Sequence, residues 1–199
     1  MNQSNMIKKS IIALIIFTII CGAIYTLLIT AFAQLVFTAK SNGSIVKVDG
    51  KKYGAELLAQ QFTDEKYMWG RVMILDLETF KDESGNPLMY AKPSNISAAS
   101  EEYEKIVSER VKKIKSSNKD MGDTPIPVDL VTVSGSGLDP HISESAANYQ
   151  IKRISKENNI PEKEVKDMIN KCSKGKFLGI FGEKTVNVLK FNLMLEDIL

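Results

Sequence analysis

Between Ser134 and Arg153 the sequence reads SGSGLDPHISESAANYQIKR and includes the only histidine of the chain. Three chemistries follow from these residue types. Ser134, Ser136, Asp139 and His141 are the nucleophile, orienting acid and base of a hydrolytic triad, which must align through hydrogen bonds to work. Residues this close along a chain rarely reach that alignment. Gly135-Ser136-Gly137 also lacks the flanking spacing of a G-x-S-x-G elbow. Gly135 and Gly137 could let backbone amides approach an anion near a helix N-terminus. Neither G-x-x-x-x-G-K-S/T nor G-x-G-x-x-G spacing is present, however, and Asp139 puts negative charge beside such a cradle. Turn-making is the better account of the glycines. The third reading is a binding surface, a polar and aromatic loop fixed at its ends by regular elements. Its candidate contact residues are Ser134, Gly135, Ser136, Gly137, Leu138, Asp139, His141, Tyr149, Gln150 and Arg153. Trp69, Gly70 and Arg71 join them because interfaces favour Trp and Arg, with core packing as the alternative for the aromatics around Trp69.

Other chemistry is poorly supplied. One histidine and two distant cysteines, Cys21 and Cys172, cannot make a usual zinc site. No D-x-D/N-x-D/N-G calcium pattern occurs. The D-K-T-G motif of P-type pumps is also missing, so the chain does not form an aspartyl-phosphate by that route. No catalytic residue, metal ligand or directly bound cofactor is assigned. The sequons at Asn42 and Asn95 are short enough to arise by chance.

The elements that must position the 134–153 loop can be read from the pattern. Val128 to Val133, VDLVTV, reads as a β-branched strand running into it. Ser143 suits the cap of a helix through ESAANYQIKRISKE. Pro161 suits the first turn of another, with Val165, Met168, Ile169 and Cys172 on its buried face. Upstream, Ile45 to Val48 reads as a strand, Asp49-Gly50 as a turn, and Leu57-Leu58 as part of a helical turn. Asp82 to Asn95 reads as loop. Ser97 or Ser100 caps a helix whose apolar face is Tyr103, Ile106, Val107, Val111 and Ile114. From Val186 the closing apolar run fits a strand or a helix equally.

The N-terminus differs in kind. No charged residue lies between Lys9 and Lys40. Ile11 to Phe37, at about 1.5 Å per helical residue, spans a hydrocarbon core of about 30 Å, and backbone in lipid must bond internally, as a helix does. AFAQ at Ala31 to Gln34 has the small residues of a signal-peptidase site, but the apolar run is longer than signal peptides carry. From Lys40 onward the remaining basic residues balance the 24 acidic ones. That excludes the basic footprint of a nucleic-acid binder. Lys8 and Lys9 on one side of the span face Lys40, Lys47, Lys51 and Lys52 on the other, which mildly opposes exporting the domain. The expected organisation is a short tail (1–10), a transmembrane helix (11–37) meeting lipid, and one mixed α+β domain (38–199).

Several stretches, in order, resemble a known family. They are NGS at Asn42, QQFTDEKYMWGR at Gln60 to Arg71, SNISAASEEYEKIVSERV at Ser94 to Val111, IPVDLVTVSGSGLDPHISESAANYQIKRISK at Ile126 to Lys156, and GEKTVNVLKFNLMLED at Gly182 to Asp197. Together with the N-terminal anchor they resemble the KdpC subunits of Kdp potassium-transporting ATPases over essentially the whole chain. The resemblance implies an accessory, non-catalytic subunit of a high-affinity ATP-driven potassium uptake complex in the cell membrane. Its partners would be a channel-like potassium-translocating subunit, a P-type ATPase subunit and a very small fourth subunit. It implies a cytoplasmic N-terminus and an outside domain, against the lysine count. It also implies a catalytic chaperone that raises the ATP affinity of the ATPase subunit, so ATP enters at the level of the complex. Val133 to Asp139 has a loose likeness to the signature loop of ABC transporters. Two alternatives carry over from the residues alone: an anchored hydrolase using Ser134 or Ser136, and a free-standing anchored ligand-binding or sensor domain.

Overall fold

A computed structural model describes residues 3–76, 78–88, 90–91, 93–176 and 178–199, without the side chains of Gln3 and Ser4. Met1 and Asn2 of the expected tail lie outside it, as do Leu77, Met89, Lys92 and Phe177 of stretches read above. The chain forms two compact units, Met1–Ile45 and Val46–Leu199.

In the first unit helix runs without a break from Gln3 to Val36, as α1 (Gln3–Phe17), a wider π-type stretch (Thr18–Tyr25) and α2 (Thr26–Val36). The span long and apolar enough to cross a membrane is Asn5–Val36. Its large side chains have no protein cover; Leu27 and Leu35 are 69% and 83% exposed. Such a surface is stable in lipid and costly in water. Thr26 Oγ1 donates to the Gly22 carbonyl (2.6 Å), one of the hydroxyl-to-backbone bonds that polar residues form inside an apolar helix. Phe37 leaves helical geometry (φ −126°), and a short turn, α3 (Thr38–Ser41), follows.

The second unit mixes helices with small sheets, an α+β domain. The hairpin of β1 (Ile45–Val48) and β2 (Lys51–Ala55) turns on Asp49 and Gly50, both at positive φ (49° and 78°). That is the turn whose twist matches paired strands. A second hairpin joins β3 (Leu75–Asp76) to β4 (Tyr90–Ala91), with a bridge between Lys81 and Pro87, so the region around Asp82 is a hairpin tip rather than loop throughout. The Leu57-Leu58 stretch makes only a turn, closed by Leu58 N–H on the Ala55 carbonyl (3.2 Å). Helix α4 (Glu101–Ser117) starts at Ser100, whose Oγ accepts from the Tyr103 amide (3.2 Å), and its expected apolar face turns inward, with Ile114 buried.

The C-terminal half holds the core. Strands β5 (His141–Ser143), β6 (Ser173–Lys174) and β7 (Thr185–Asn187) form an antiparallel sheet with β7 central, Ile142 opposite Val186. Both residues are buried in a core that the sheet shares with α5 (Glu144–Tyr149), α7 (Glu162–Cys172) and α8 (Val188–Leu195), and α6 (Ile151–Asn158) packs on α7. The closing run is thus both strand and helix, with Asn187 ending β7 and capping α8 through Lys190 N–H (2.9 Å).

One expectation is overturned. Val128 to Val133 is not a strand: Val128–Leu130 is a single tight helical turn, and Val133 makes only a parallel bridge to Val72. The β-branched propensity loses to one tertiary bond and two local ones. Asp129 Oδ2 accepts the Ser143 amide (2.6 Å), and the Val128 carbonyl takes the Thr132 amide and hydroxyl (3.0 and 2.9 Å). The strand that fixes the loop follows it, as β5.

Candidate partner surface around the 134 to 141 loop

The glycine loop is braced by several of its own groups. Gly137, at φ +74°, gives its amide to the Ser134 carbonyl (3.1 Å). The Leu138 amide goes to Ser136 Oγ (3.2 Å) and the Asp139 amide to Ser134 Oγ (3.4 Å). His141 N–H goes to Asp139 Oδ1 (3.0 Å). The Gly137 amide, spent this way, is not aimed at an anion, so a cradle using Gly135 and Gly137 together does not form. Neither does the triad. The His141 ring faces Asp139 Oδ1 (3.6 Å) and Asn187 Nδ2 (3.4 Å), while the serine hydroxyls face loop amides and each other.

The loop is pinned from outside as well. The Leu138 carbonyl accepts from Ala59 (3.0 Å), and the Pro140 carbonyl accepts from Val188 (3.1 Å). Gly135 and Ser136 stand exposed at its crest, and Asp139 and His141 are partly exposed beside it. Arg71 Nη1 lies 3.9 Å from Asp139 Oδ2, which brings the Trp69-Gly70-Arg71 stretch to the loop's flank.

The remaining candidates lie inside. Trp69 is 7% exposed, Tyr149 4%, Gln150 0% and Arg153 4%. Gln150 and Arg153 clamp the extended segment that carries Trp69 and Arg71, and Tyr149 packs in the core beside them. Gln150 Oε1 accepts the Trp69 amide (2.8 Å) and Gln150 Nε2 donates to the Trp69 carbonyl (3.0 Å). Asn192 does the same for Met68 (2.8 and 3.0 Å). Arg153 Nη1 donates to the Glu65 and Tyr67 carbonyls, its Nη2 donates to Gln150 Oε1 (2.7 Å), and its guanidinium stacks 4.4 Å from the Trp69 ring. Burial pushes the Arg153 pKa down to about 10, against the pull of Glu65, Glu157 and Asp64, so it stays cationic near neutral pH. Asn158 and Asn187 complete the grip through the Lys66 and Glu56 carbonyls (2.8 Å each). Side chains thereby do for residues 56–69 what a neighbouring strand would do.

Sequence reasoning missed Asn158, Asn187 and Asn192. A signal existed: asparagines in the apolar run TVNVLKFNLML must find partners once the run is buried.

Comparison with known proteins finds matches along nearly the whole chain. Residues 7–197 match the family model described as "KdpC: K+-transporting ATPase, c chain". The chain is 61% identical to the "Potassium-transporting ATPase KdpC subunit" of Clostridium perfringens, with 98% of each chain covered. It is 57% identical to the protein of that name from Clostridium botulinum, over 96% of this chain and 95% of the other. With a family match spanning both the apolar helix and the clamped α+β domain, the chain belongs to the KdpC family.

Proposed function

We propose that this chain is the accessory subunit of a high-affinity, ATP-driven potassium uptake complex. It stabilises assembly of the complex and acts as a catalytic chaperone that raises the ATP affinity of the P-type ATPase subunit. Its partners are that subunit, a channel-like potassium-translocating subunit and a very small fourth subunit. The apolar helix holds it in the membrane with the N-terminus cytoplasmic and residues 38–199 outside.

The observation that carries this reading is the loop over 134–141, which is braced by its own serine and aspartate acceptors, is tied to Ala59 and Val188, and presents Gly135, Ser136, Asp139 and His141 outward. A loop fixed at several points loses little further conformational entropy when a partner covers it. In this proposal Gln150 and Arg153 act from behind, holding Trp69 and so the flanking Arg71, while Tyr149 supports them from the core.

An outside domain reaches ATP only through its partners. It must bind the nucleotide-loaded conformation of the complex better than the empty one, because a ligand shifts an equilibrium only by its differential affinity. A tenfold gain in ATP affinity needs about 1.4 kcal/mol of such preference.

The test is gentle detergent extraction of a C-terminally tagged chain from potassium-starved cells. Recovery of a polytopic channel-like protein and a P-type ATPase in comparable amounts is expected. Recovery of the chain alone, with those proteins expressed, would refute the assignment. A combined Ser136, Asp139 and His141 variant should weaken assembly or potassium uptake while leaving the fold intact. Tyr149 is left unchanged because it belongs to the core.

A further inference from the structure

Beside the clamped segment a cleft of about 160 Å³ opens against α4. Among its lining residues are the cations Arg71, Arg110 and Lys113, and no acid. Phe62, Trp69 and Ile114 supply apolar wall.

Each cation is short of partners. Arg110 Nη1 donates to the Val131 carbonyl (3.1 Å), and no carboxylate lies within ion-pair distance of it among the described residues. Burial lowers its pKa, with only Tyr103 pulling the other way. Arg71 has Asp139 at 3.9 Å, and its Nε is buried without an acceptor among the described residues. Lys113 Nζ rests 5.1 Å from the centre of the Trp69 ring. Gathering cations in a partly desolvated cleft is unfavourable unless an anion completes it.

We propose that this cleft receives the carboxylate of an acidic side chain presented by another subunit. Guanidinium groups match carboxylates as planar forks. The volume equals about five waters at roughly 30 Å³ each, room for a carboxylate on a short methylene stem. It falls well short of the roughly 300–1,000 Å³ of drug-sized ligand sites. The apolar walls suit the stem. The assignment rests on the reading that this chain docks on the other subunits of its complex.

Trp69 is the only tryptophan of the chain and forms a wall of the cleft, so its emission reports occupancy. The full chain in detergent is titrated with the acetylated amide of glutamate, with its glutamine counterpart and with inorganic phosphate. A saturable change with the glutamate compound and none with the glutamine compound is expected. Arg110→Gln should weaken it roughly tenfold or more, the loss of a charge-assisted hydrogen bond. Lys113→Met, at an exposed position, should weaken it without any question of misfolding. A response to phosphate alone overturns the carboxylate assignment, and a response to neither anion overturns the site.

The occupant is identified in the purified complex with a carbodiimide, which joins amines to contacting carboxylates. A cross-link from Lys113 to an acidic residue of another subunit is expected, and its loss in Lys113→Arg. A complex that keeps its subunits yet yields no such link overturns the occupant. A chain that purifies with no other subunit overturns the docking reading instead, and the titration still decides whether the cleft binds a carboxylate.

Discussion

Gln150 binds both backbone groups of Trp69 from a fully buried position. Replacing it with Leu keeps the volume and removes both partners. Each stranded backbone group costs roughly 1–3 kcal/mol, against about 5–15 kcal/mol for a whole domain. Gln150→Leu should therefore lower the unfolding midpoint strongly, read by thermal denaturation of the full chain, whereas a surface-only role would leave it unmoved. The sequence carried part of this: Ala146, Gln150, Arg153 and Ile154 fall on one helical stripe, yet amide and guanidinium groups read as surface chemistry. Only the fold shows that residues 65–69 supply the carbonyls and amides they need. Cys172 makes a second case. Burial raises its thiol pKa to about 11, with Lys190 and Lys171 pulling down weakly. A raised value favours the protonated form in the folded state, so this contribution is whole below the ordinary thiol range and is lost as pH climbs from about 9 through 11. Alkylation of Cys172 should be slow at neutral pH and fast after unfolding, and Cys172→Ala should lose less stability over that alkaline window than the parent.

Among the elements, those with local signals were readable. Ser143 caps its helix through the Ala146 amide as expected, and of the two candidates Ser97 and Ser100 it is Ser100 that accepts from the Tyr103 amide. Helix α7 buries Val165, Ile169 and Cys172. Ser100→Ala should cost about 1 kcal/mol. The loss should show as faster amide exchange in the first turn of α4, with the far end that carries Arg110 and Lys113 less affected. Elements that depend on distant partners were not readable. Val128 to Val133 has strand residues, yet Asp129 is drawn to Ser143 and the chain turns there instead. Strand β5 is too short for a pattern and exists because β7 lies alongside it. The helix expected to run straight from Ser143 divides at Gln150, whose backbone amide bonds Ala147 while its side chain serves Trp69.

At the level of the molecule, the balanced charge beyond Lys40 and the uncovered apolar helix were readable from composition alone. The chaperone role, if it operates, carries a reciprocal consequence. Whatever factor the chain adds to ATP affinity, nucleotide must add to the chain's own attachment. Retention of the tagged chain during a detergent wash should rise when a non-hydrolysable ATP analogue is present. Equal retention would remove the chaperone role and leave assembly alone.

The clamp also sets an order of events at birth. Met68 waits for Asn192 and Glu56 for Asn187, separations of 124 and 131 residues. At about 5–20 residues per second of synthesis, that delay is on the order of ten seconds. The apolar helix precedes the domain along the chain, and the clamp stays open until α8 has been made. A chain cut short before Asn187 should therefore keep the apolar helix yet lack the partners of Met68 and Glu56, leaving unfinished the surface that the clamp supports.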